Sequence, residues 1–70
     1  MDKLINFIEG RYNMAYVWYK GDYSAIDRLC AQAFGAAEFY ISCNPDQFNE
    51  VEKVWNEWHE KFLALEMEVA

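Results

Sequence analysis

Basic residues are scarce in this chain of 70 residues: six Lys and Arg stand against twelve Asp and Glu, for a formal net charge of -6. Phosphate affinity comes mainly from Lys and Arg, so this balance argues against an ordinary nucleic-acid binder and, for the same reason, against an anionic membrane surface as partner. Long apolar runs are also missing. No stretch approaches the ~20 apolar residues of a membrane span. Asp2, Lys3, Asn6, Glu9 and Arg11 interrupt the apolar residues at the N-terminus before a signal-peptide core can form. The expectation is a soluble, cytoplasmic protein.

Chemistry-bearing residues are equally sparse. The only histidine, His59, has Glu52 and Glu66 seven residues to either side, a rise of about 10.5 Å on a helix and too far for one ion. No HExxH or ExxH pattern surrounds it, so it reads as a solvated flank residue and no metal is expected. Cys30 and Cys43 fit no zinc or redox spacing. On helical chain they would lie about 20 Å apart, which predicts free thiols. The three glycines, Gly10, Gly21 and Gly35, stand alone and make no phosphate loop, and no serine sits in a nucleophile elbow. The sequence therefore predicts a non-enzymatic protein with no cofactor.

What the chain has in quantity is apolar surface. Hydrophobic residues make up 54% of it and aromatics 19%, although a chain this short buries only about 60% of the surface it exposes when unfolded. Each aromatic buries roughly 150–250 Å². Not all of them fit inside.

Periodicity places these residues on three helices, over about 2–20, 22–42 and 45–68. In the first, Ile5, Ile8, Tyr12, Ala15 and Tyr19 recur at steps of three and four, the spacing of one helical stripe, and Gly21 supplies a stop. A second apolar line, Phe7, Met14 and Trp18, runs nearly opposite with Arg11 among it. In the second segment, Asp22 or Ser24 is the N-cap and Ile26, Cys30, Ala33, Ala37 and Tyr40 form the inward stripe. Ala33, Gly35, Ala36 and Ala37 keep it slim, and Gly35 is a candidate kink. In the third, Asn44, Pro45 and Gln47 occupy the N-cap, N1 and N3 positions of a helix start. Phe48, Val51, Trp55, Trp58, Phe62, Leu65 and Val69 then keep a seven-residue repeat.

These elements predict an all-α fold, a small up-down-up three-helix bundle, with completion by a second copy as the alternative. A β-hairpin over Ala15–Tyr23 is a further alternative, because Tyr16, Val17, Trp18 and Tyr19 have strand propensity and a Lys-Gly-Asp follows.

Function is expected to lie in the spare apolar surface. Leu63 and Met67 lie off the heptad stripe and, with Phe7, Met14, Trp18 and Phe39, form the candidate interaction set. These residues either make an interface or complete a broad core, while Trp55 and Trp58 are assigned to the core. The leading reading is a protein–protein interaction module that self-associates as a homodimer. Charge offers a second one: residues 44–70 sum to -5, and an acidic face of Glu50, Glu57 and Glu60 on the third helix suits an inhibitor or adaptor, of the kind a mobile element carries, docking on the basic surface of a nucleic-acid-binding protein.

Overall fold

The computed structural model describes residues 1–69 as three helices, α1 (Asp2–Trp18), α2 (Tyr23–Cys43) and α3 (Phe48–Met67), with a 3-10 turn over Pro45–Gln47 ahead of α3. They pack as an up-down-up bundle measuring 38 × 16 × 16 Å. No strand occurs among the described residues, and Ala15–Trp18 belong to α1, so the hairpin alternative falls. Strand propensity there is overridden by the apolar stripe that reaches Ala15.

The helix ends differ from expectation for local reasons. α1 stops at Trp18, two residues early, because Tyr19 leaves helical geometry at φ -124° while its N–H still donates to the Ala15 carbonyl at 3.2 Å. Gly21 then turns the chain at φ 94°, a conformation that L side chains resist. Asp22, not Ser24, caps α2, its Oδ1 accepting from the Ala25 N–H at 3.1 Å. Such a cap contributes about 1 kcal/mol.

Asn44 serves the end of α2 rather than the start of α3. Its backbone N–H donates to Tyr40 and Ile41, and its side-chain Nδ2 to the Tyr40 carbonyl at 3.1 Å. Gln47 likewise does not close a capping box, since its Oε1 accepts from the Tyr40 hydroxyl at 2.8 Å. α3 therefore begins at Phe48, after the proline turn. Gly35 leaves α2 unbroken from Tyr23 to Cys43.

The core draws Leu4, Ile8 and Ala15 from α1, and Ile26, Leu29, Ala33 and Ala37 from α2. Val51, Phe62 and Leu65 come from α3. On α1, Ile8 and Ala15 of the expected stripe are buried together with Leu4, whereas Ile5 and Tyr12 are half-buried and Tyr19 is exposed. On α3 the heptad is buried at Val51, Phe62 and Leu65. Phe48 is exposed, and Trp55 and Trp58 sit half-buried at the edge of the core, not inside it. Both indoles lie between buried Val51 and buried Phe62 along the helix, and side chains of that size are seldom covered completely.

Aromatic contacts stitch those flanks. The Tyr12 ring meets Phe62 edge-on, centroids 5.4 Å apart, and Trp58 at 5.7 Å, joining α1 to α3. Lys61 lies over the Trp58 ring at 4.2 Å.

Phe62 is the largest fully buried side chain, so Phe62→Ala is expected to cost on the order of 3–5 kcal/mol in urea unfolding, with Trp55→Ala costing less. A loss below about 1 kcal/mol at Phe62 would show that the core is centred elsewhere.

Candidate interaction surfaces

Two surfaces of the bundle combine exposed apolar side chains with an uneven distribution of charge. The first lies where α1 and α2 adjoin. Arg11 Nη1 donates to Gln32 Oε1 at 3.3 Å, which sets residue 11 of one helix beside residue 32 of its antiparallel neighbour. Residue 7 then falls near residue 36, and residue 14 near residue 29. Steps of three and four place Lys3, Phe7, Arg11, Met14 and Trp18 on one side of α1, and Arg28, Gln32 and Phe39 on the matching side of α2.

On this surface Trp18 is 77% exposed and Phe39 72%, while Phe7 is 42% exposed and carries the Arg11 guanidinium 4.9 Å from its ring centre. Arg11 Nε is buried without a hydrogen-bond partner. Met14 is half-buried and packs on the core. Gly10 and Gly35 lie within about one turn of each other on this surface, and a Cβ built on either would meet nothing within 4 Å. Each costs its helix roughly 1 kcal/mol relative to alanine, with no packing inside the chain to account for it.

The second surface is the groove between α2 and α3. One hollow is lined by Phe34, Glu38, Ile41, Phe48, Glu52 and Trp55, among others. An adjoining one shares Phe34 and Trp55 and adds Asp27, Cys30 and His59. Toward the C-terminus of α3 a third is lined by Tyr23, Leu63, Glu66, Met67 and Val69. The three hollows thus include four carboxylates, Asp27, Glu38, Glu52 and Glu66, and not one Lys or Arg.

The expected interaction set is therefore divided: Phe7, Met14, Trp18 and Phe39 lie on the α1/α2 side, whereas Leu63 and Met67 face a groove to which α1 contributes nothing. Glu50, Glu57 and Glu60 are exposed and line none of the three hollows. With Lys53 they recur at steps of three and four and share one outward stripe. The groove carboxylates escaped the sequence reading because Glu52, Asn56, His59, Leu63 and Glu66 also recur at three and four but mix polar with apolar residues. A search for an apolar line passes over such a stripe.

His59 is half-buried, its ring stacked on Trp55 with centroids 5.3 Å apart and planes 14° from parallel. It is not the solvated residue that its lack of ligand partners suggested. Trp55 also meets Phe34 of α2, ring centroids 5.3 Å apart.

Glu66 is buried at 9% exposure, and burial foremost, with help from Asp27, holds its carboxyl above the usual glutamate range, while His59 acts in the opposite direction. The same neighbourhood, again led by burial, then by Glu66 and Asp27, pushes the Cys30 thiol up to about 11. Both cysteines are free, Cys30 buried and Cys43 exposed. No group of three or more His, Cys, Asp or Glu side chains is arranged to hold a metal ion among the described residues, and no helix there is long and apolar enough to cross a membrane.

Comparison of the chain with protein-family models, with curated proteins and with solved structures finds no match.

A carboxyl held high in the folded state contributes stability that is complete below the ordinary glutamate value of about 4.3 and is lost as pH rises through its elevated pKa. Glu66→Gln is accordingly expected to raise the urea midpoint at pH 7 and to lose that advantage near pH 4. An equal or lower midpoint at pH 7 would contradict the burial of a charge there. Alkylation of the folded protein with iodoacetamide at neutral pH should label Cys43 and spare Cys30; comparable rates at the two sites would mean that Cys30 is accessible.

Proposed function

We propose that this chain is a non-enzymatic protein-interaction module whose partner is a second copy of itself, held through apolar surface that one bundle cannot bury. The observation that carries this reading is that eleven large hydrophobic side chains among the described residues stay exposed, Trp18, Met67, Phe39 and Val17 by two thirds or more. Contiguous apolar patches beyond a few hundred Å² are rare on monomers and mark interaction sites where they occur. A standard interface covers about 800 Å² of each partner, roughly a sixth of this molecule's 4770 Å².

Trp18 is the anchor of choice, because tryptophan is enriched among the few residues that dominate interface energy. It projects from the last turn of α1, where nothing in the protomer covers it. A second reading, an acidic adaptor docking on a basic protein surface, draws support from the groove carboxylates and from the outward Glu50, Glu57 and Glu60. Binding of that kind would weaken steeply with added salt.

The test is molar mass by light scattering across a concentration series. Wild type is expected to exceed the protomer mass increasingly with concentration, and Trp18→Glu to weaken assembly at least about tenfold with unchanged helical circular dichroism. Assembly of the variant equal to wild type would remove Trp18 from the interface. A wild type at protomer mass throughout would remove self-association altogether.

A further inference from the structure

We propose that self-association is heterologous: the α1/α2 surface of one copy docks in the α2/α3 groove of the next. The proposal rests on the self-association reading above and specifies its geometry. Three independent features of the fold point to it.

Charge is the first. Lys3, Arg11 and Arg28, half of the chain's basic residues, share the α1/α2 side with no carboxylate among them, whereas the groove presents the exposed carboxylates Asp27, Glu38 and Glu52 with no Lys or Arg. Pairing like surfaces about a two-fold axis would set three cations against three cations, or three carboxylates against three. Pairing unlike surfaces matches opposite signs, and electrostatic complementarity of this kind selects register and partner.

Shape is the second. The groove exposes flat aromatic side chains, Phe34 and Phe48 at 44% and 48%, along a stretch of α2 from Asp27 to Ile41 that is about 21 Å long at 1.5 Å per residue. The α1/α2 side offers projecting side chains, Trp18 at one end and Phe7 with Phe39 at the other, over a comparable length.

The third is the pair of glycines. Gly10 and Gly35 lie between those projections, and the space beside each is empty. In the interior of a helix, glycine is the residue that lets another backbone approach closely. Neither position has such a neighbour within the chain, which leaves both open to a backbone from outside it.

Because the two docking surfaces differ, a pair so joined leaves an unused groove on one copy and an unused face on the other, and assembly continues into an open chain or closes as a ring. Mixed variants test this directly. Trp18→Asp with Phe39→Asp disables the face and leaves the groove intact; Phe48→Asp with Met67→Asp disables the groove and leaves the face. All four side chains are exposed, and circular dichroism checks that both double variants keep the fold.

Each double variant alone is expected to remain at protomer mass. An equimolar mixture should give twice the protomer mass and nothing larger, with an affinity at least about tenfold above that of either variant for itself, falling as salt is added. If the mixture stays at protomer mass while wild type assembles, the heterologous geometry is overturned and self-association stands. If wild type itself stays at protomer mass at every concentration, both readings are overturned.

Discussion

How little room α2 leaves inside the bundle governs most of what surrounds it. Its buried face is built largely from Ala25, Ala33 and Ala37 beside Ile26 and Leu29, and alanines draw helices close together. Between helices so close, one aromatic, Phe62, fits without exposed surface. Tyr12, Trp55 and Trp58 reach the core only with part of their rings, and Trp18, Phe39 and Phe48 do not reach it. The aromatic abundance of the chain is therefore expressed at the surface, by steric necessity and not by a failure of packing.

Charge follows the same geometry. α2 is the central element, and its two flanks carry opposite signs: Arg28 on the side shared with α1, and Asp27 with Glu38 on the side shared with α3. Since Asp27 and Arg28 are adjacent in sequence, about 100° of helical rotation is enough to separate them onto different surfaces. A protein with a net charge of -6 thus presents a face lacking carboxylates, and the bulk charge conceals a local arrangement suited to attraction between copies.

Fold class, helix number and the inward residues of α2 were legible in the sequence, because Ile26, Cys30, Ala33 and Ala37 repeat at helical spacing with little competing signal. α1 was harder. Ile8 and Ala15 were read correctly as inward, but Leu4 and Ile5 fit the period about equally well as their neighbour, and only contacts with α2 and α3 decide between them. On α3 the heptad made Trp55 and Trp58 look interior, whereas their indoles are too large for so narrow a core and stay partly at its rim. The half-stripe of α3 that lines the groove was invisible for a different reason: its character depends on Asp27, Phe34 and Ile41, which lie more than ten residues away in sequence and meet it only in the folded chain. Asn44 and Gln47 show a local form of the same limit, since both had the residue type of a helix start and spend their hydrogen bonds on Tyr40.

The two open glycines bear on how such a chain changes over generations. Alanine at Gly10 or Gly35 would stiffen its helix without a clash, so selection for folding alone would let these positions drift in that direction. Retention of glycine at both among descendants of this chain would then record a pressure that the isolated bundle does not exert, and loss at one would be expected to accompany changes at Phe34 or Phe48. Inheritance at two small residues would carry information about an encounter between molecules.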